Sequence, residues 1–123
     1  AEDNDLNAEI AAVILERAGL KVERVEDGLQ CISRITEMPA GTYDVILMDI
    51  QMPKMDGYKA TQTIRNLSDQ EKACIPIIAM TANAFEEDKR AAIAAGMNGH
   101  IAKPIQVDKL LSILAEMIRQ QEN

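Results

Sequence analysis

The stretch from 44 to 57 constrains the fold more than any other. Its first half, Val45-Ile46-Leu47-Met48, is an apolar run rich in branched residues, delivered between Asp44 and Asp49. A strand that faces water on one side alternates polar and apolar residues. An unbroken apolar run of this length reads instead as a strand buried on both faces, as in parallel sheets. Met52-Pro53 and Asp56-Gly57 then break the strand and mark a loop. A second run, Ile75-Pro76-Ile77-Ile78-Ala79-Met80, ends at Thr81, with Pro76 near its start, where a missing donor is tolerated. Helical periodicity lies between and around these runs, which calls for a parallel sheet with helices on both faces.

The remainder of the chain supports that alternation. Leu6, Ile10, Val13, Ile14 and Ala18 recur at helical spacing, with Asn4 or Asp5 as candidate cap and Gly19 as stop. Leu29, Ile32, Ile35 and Thr36 mark a second amphipathic helix ending before Pro39. Ala60, Ile64 and Leu67 mark a third, starting near Gly57 with Asp56 as its cap. The segment 84–95 is helical by composition, but Phe85 and Ile93 are its only large apolar side chains, and Gly96 ends it. Val107, Leu110, Leu111, Leu114 and Ile118 stripe a last helix whose polar end, 119–123, is expected to fray. Strands are expected at 20–26, 44–50, 75–80 and 98–102, and a polar connection at 68–74.

Length and charge narrow the function classes. A chain of 123 residues is expected to form one domain, long enough for a single core. A net charge of -7 disfavours direct binding to nucleic acid or to an anionic membrane. No apolar run approaches membrane-spanning length. Cys31 and Cys74 are far apart and outside any metal-type spacing, so a reducing, cytoplasmic setting is expected. A lone His100 argues against a zinc site built from imidazole.

In an open parallel sheet, ligands bind at the carboxyl ends of the strands. Asp49, Thr81 and Lys103 each follow an expected strand, and Glu2-Asp3 opens the first helix at the same edge. Asp49 read blandly is only a helix cap, but Asp56 fits that job better. Glu2, Asp3 and Asp49 in one crevice would repel unless a cation offset them, and hard oxygen ligands of this kind suit Mg²⁺. Lys103 adds a point charge and Thr81 a hydroxyl donor. Such a set suits phosphoryl transfer, with the Asp49 carboxylate as nucleophile.

Met48-Asp49-Ile50-Gln51-Met52-Pro53-Lys54-Met55-Asp56-Gly57, Met80-Thr81-Ala82-Asn83-Ala84 and Ala102-Lys103-Pro104 resemble the signature blocks of response-regulator receiver domains, and Glu2-Asp3-Asn4 resembles their acidic pair. The wording around these blocks is similar to receivers attached to hybrid histidine kinases. The resemblance covers the whole chain. It implies a flavodoxin-like, doubly wound α/β sheet of order 2-1-3-4-5. It also implies a first strand directly before Glu2, of which this sequence shows only Ala1. The expected fold is thus one domain, 1–123, with that first strand absent.

The resemblance also implies roles. Asp49 accepts a phosphoryl group from a histidine kinase or a histidine phosphotransfer domain. Asp3 and Asp49 ligate Mg²⁺, Glu2 acts through water, and the Gln51 carbonyl is a further ligand. Thr81 and Lys103 contact the phosphoryl oxygens, and His100 stands where a coupled switch residue is expected, usually Tyr or Phe. A half-exposed strand residue is the bland reading of His100. Gln51 and Asn83 sit where the lifetime of the acyl phosphate is tuned, and Pro104 where a cis peptide is expected. A dimer through the 84–120 region is compatible with this picture.

The alternatives are an aspartyl-phosphate phosphatase-like enzyme, a flavodoxin and a phosphorylation-independent interaction module. The first needs a second acid two residues after the nucleophile, where this chain has Gln51. The second needs a hydroxyl-rich phosphate loop after the first strand, where this chain has acids. The third is disfavoured because every chemical position is filled.

Overall fold

The computed structural model describes residues 1, 5–17, 19, 21–39, 42–43, 45–50, 56–81, 86–102 and 107–121. Within them the elements run α1 (Asp5–Arg17), α2 (Gly28–Glu37), β1 (Ile46–Asp49), α3 (Gly57–Arg65), α4 (Gln70–Ala73), β2 (Ile77–Thr81), α5 (Glu86–Ala95), β3 (Gly99–Ala102) and α6 (Val107–Gln121). The three strands form one parallel sheet in the order β1-β2-β3. Every residue of β2 is buried, as the unbroken apolar run requires of a central strand. Register pairs Ile46 with Ile77 and Asp49 with Met80 on one side, and Ile78 with Gly99 and Thr81 with Ala102 on the other.

Side chains alternate through the sheet into two cores. On one face Met48, Ile77 and Ala79 meet Cys31 and Ile35 of α2, Ala60 and Ile64 of α3, and Ala92 of α5. On the other, Ile78, Met80 and Ile101 meet Leu15 of α1 and Leu110 and Leu114 of α6. No helix among the described residues is long and apolar enough to cross a membrane.

Aspartates cap α2, α3 and α4. Asp27 accepts from the Gln30 amide at 2.9 Å, while the Gln30 side chain accepts from the Glu26 amide at 2.8 Å. Asp56 accepts from the Lys59 amide at 2.9 Å and so caps α3. The bonds to Asp27 and Asp56 each satisfy a donor that the first helical turn leaves open.

Several expectations need correction. Residues 21–25 carry no strand pairing among the described residues, although Val22 packs with one core and Val25 with the other, as in an extended segment at a sheet margin. They are held by side chains instead: the Glu23 carboxylate accepts from Arg34 of α2 and from the Tyr43 hydroxyl. The connection at 68–74 contains α4, because Asp69 accepts from the amides of Glu71 and Lys72 and nucleates a turn. The last helix is described to Gln121, and residues 122–123 of its polar end lie outside the described residues. Only part of the expected stripe of α1 faces the core: Leu15 is buried and Ile14 packs against the same cluster, whereas Leu6, Ile10 and Val13 stay exposed. Ile93, one of the two large apolar side chains of the 84–95 segment, is 70% exposed, and the buried side chains described on that helix are the small Ala92 and Ala95.

Candidate functional site

Asp49 is the last residue of β1 and only 5% exposed. Its amide donates to the Ala1 carbonyl at 3.0 Å, and the Ala1 nitrogen donates to the Leu47 carbonyl at 2.6 Å. These two bonds bracket Met48 in the pattern of a parallel ladder. Ala1 thus stands beside β1 in the lane that order 2-1-3-4-5 gives to a first strand, and Glu2 and Asp3 follow it in sequence.

The chain leaves the strand at Ile50 and returns at α3. The Gly57 amide donates to the Ile50 carbonyl at 2.9 Å, closing the excursion just beyond Asp49. A methyl group on Gly57 would stand 3.0 Å from the Ile50 Cα and 3.1 Å from the Asp49 carbonyl carbon, with the Asp49 carbonyl oxygen closer still. Gly57 is needed for this approach of helix to strand end, with Asp56 capping beside it.

Thr81 ends β2 and is 6% exposed. Asp49 is in register with Met80, so the Thr81 backbone lies one residue further along the same edge. Thr81 is itself in register with Ala102, the residue before Lys103, and His100 with Ala79. Partners in a parallel register project to one face. Thr81 and His100 therefore share the face of Ala79, the one covered by Ala92 of α5. His100 is half-buried there.

The structure thus brings together the ends of β1 and β2 with Asp49 and Thr81, and sets His100 two residues back on β3. Glu2, Asp3, Gln51, Asn83, Lys103 and Pro104 lie outside the described residues. No group of three or more His, Cys, Asp or Glu that could hold a metal ion occurs among the described residues. Sequence reasoning missed the parts played by Ala1 and Ile50. Both act through backbone atoms, which no side-chain pattern announces.

A family profile for the response regulator receiver domain matches residues 1–115. The signal transduction histidine-protein kinase BarA of Escherichia coli K12 is 39% identical over 113 residues, which is 92% of this chain and 12% of that kinase. The chain thus spans about an eighth of the length of that curated relative. The receiver domain of the sensor histidine kinase PA1611 of Pseudomonas aeruginosa PAO1, solved with a magnesium ion coordinated in its active site cleft, superposes with a TM-score of 0.85 at 38% identity. That superposition covers 96% of this chain and 93% of the other. The chemotaxis protein CheY4 of Vibrio cholerae superposes with a TM-score of 0.83 at 26% identity, over 94% and 92% of the two chains. The order of the elements, the parallel sheet and these matches lead to one conclusion: the chain belongs to the response regulator receiver domain family.

Proposed function

We propose that Asp49 is the phosphoryl acceptor of a phosphorelay. The observation that carries this reading is a nearly buried carboxylate at the end of a parallel strand, with the Thr81 backbone one residue further along the same sheet edge. In the reaction, a carboxylate oxygen of Asp49 forms a bond to phosphorus as the nitrogen–phosphorus bond of a donor phosphohistidine breaks. The imidazole leaves, and the product is an acyl phosphate. The donor is a histidine kinase or a histidine phosphotransfer domain, in keeping with the relatives being histidine kinases.

Burial of Asp49 lowers the local dielectric, so placed donors act strongly on the charge that develops there. Thr81 supplies a hydroxyl, and Lys103, directly after the partner of Thr81 in the register, supplies a cation. The donor chemistry fits Mg²⁺: Asp49, Asp3 and Glu2 offer hard carboxylate oxygens, and Gln51 a carbonyl. Bound there, Mg²⁺ would neutralise charge on the carboxylates and on the transferred phosphoryl group. Thr81 and His100 form the switch, since they share one face of the sheet under α5. The free cysteines Cys31 and Cys74 suit a cytoplasmic, reducing setting.

Acetyl phosphate with Mg²⁺ tests the reading. Intact mass should rise by one phosphoryl group, and the gain should vanish in Asp49→Asn. Full labelling of that variant would refute the assignment. Continuous release of phosphate would favour a phosphatase instead.

A further inference from the structure

Arg65, at the end of α3, reaches across the edge of the sheet opposite Asp49. Its Nε donates to the Gly96 carbonyl at 2.9 Å, one Nη to the carbonyls of Ala73 and Ile75 at 2.7 Å each, and the other Nη to the Asn98 side-chain oxygen at 2.7 Å. That oxygen also accepts from the Ile77 amide at 2.9 Å, while the Asn98 amide donates to the Ile77 carbonyl at 2.7 Å. One guanidinium thus joins the ends of α4 and α5 to the starts of β2 and β3. Burial pushes the Arg65 pKa down from its ordinary value, yet the group stays charged, because arginine starts so high. Gly96 completes the joint. Its positive φ of 104° turns the chain out of α5, and a side chain there would meet the Arg65 Cγ at 2.9 Å.

The described side chains of α5 are held differently. Its described buried side chains are Ala92 and Ala95, whereas Ile93 points to solvent. Small side chains bury little apolar surface and resist sliding weakly. Beyond the helix end, Met97 is buried, and its amide returns to the Ala92 carbonyl at 3.0 Å. The helix is therefore anchored at the Gly96 end. Its other end, at Glu86, is the one that follows Thr81 in the chain.

We propose that Arg65 is a positioning residue that makes the Gly96 end of α5 a fixed pivot. This rests on the reading of Asp49 as phosphoryl acceptor. A pull on Thr81 then tilts α5 about that pivot instead of translating it. For a helix of 10 residues, about 15 Å long, a tilt of about 5° displaces the Glu86 end by about 1.3 Å and leaves the pivot nearly still.

Hydrogen exchange on the whole chain with Mg²⁺, with and without beryllofluoride, tests this. The parent should change exchange by at least about threefold across 86–91 while 93–98 stay unchanged. In Arg65→Lys, which keeps a charge but loses the fork, the change should spread into 93–98. Arg65→Gln, a second variant without charge, should behave the same way. Equal change along the whole helix in the parent would overturn the pivot, as would both variants retaining the parent's pattern. No change even in the peptides containing Asp49 would overturn the acceptor reading and the pivot with it.

Discussion

Gly57→Ala tests how closely α3 is set against the end of β1. Gly57 is not among the glycines with positive φ, so its requirement is space and not a left-handed backbone. The added methyl would stand 3.0 Å from the Ile50 Cα, whereas ordinary contact begins near 3.4 Å, and the Asp49 carbonyl oxygen is nearer still. The neighbours are backbone, so no side chain can rotate away. Helix or strand must retreat by more than about 0.4 Å, an overpacking that costs about 1–3 kcal/mol. Retreat also stretches the 2.9 Å bond from Gly57 to Ile50, worth about 1 kcal/mol. The better helix propensity of Ala offsets at most about 1 kcal/mol. The net expectation is a loss of about 2 kcal/mol, which lowers Tm by about 6–10 °C in a domain of this size. Thermal melts followed by circular dichroism measure this, and acetyl phosphate labelling reports whether Asp49 has moved. A Tm within about 1 °C of the parent, or above it, would refute the close-approach account.

Thr61→Val should stabilise by about 1 kcal/mol in urea melts, because the fully buried Thr61 hydroxyl has no partner among the described residues and its removal leaves the shape nearly intact. Asp56→Ala should cost about 1 kcal/mol by losing the cap on the Lys59 amide, measurable as a lowered urea midpoint. Burial pushes the Cys31 thiol up from its ordinary value, so above about pH 8.5 the unfolded chain releases this proton first. Stability should therefore be fully present below the unfolded thiol pKa and fall as pH rises toward the folded one. Cys31→Ala should flatten that alkaline slope in melts taken as a function of pH.

Much of the fold was legible because it rests on local pattern. The runs ending at Asp49 and Thr81 carry no polar alternation, and burial on both faces is the outcome that pattern permits. Asp56 was legible as a cap because it precedes a helical period, and the bond to Lys59 is the local one such a residue makes. The place of Asp49 at the end of β1 was legible for a related reason. A carboxylate set directly after an apolar run must lie at the strand's exit, where an open parallel sheet leaves its crevice. Its surroundings were less legible. The 3.0 Å bond to Ala1 and the closure of Ile50 on Gly57 join backbone atoms distant in sequence, and any residue can supply them.

The expected strand at 20–26 shows where local pattern stops. Val22 and Val25 do pack into different cores, yet a strand exists only by pairing with another. Glu23 ties the segment down through Arg34 and Tyr43, partners 11 and 20 residues away. Hydrogen bonds from Arg34 and then Tyr43 hold the Glu23 carboxyl below its usual range, a sign that these contacts favour its charged form. Arg65 is the stronger case. Within α3 it looks like any basic residue in a last turn, placed to complement the helix dipole. Its acceptors lie 8, 10, 31 and 33 residues further on, in elements that meet only once the sheet has formed. A planar group with five donors can satisfy carbonyls from several chain segments at once, which an ammonium group cannot match. Folding must therefore bring β2, β3 and the end of α5 together before this arginine can hold all of its acceptors.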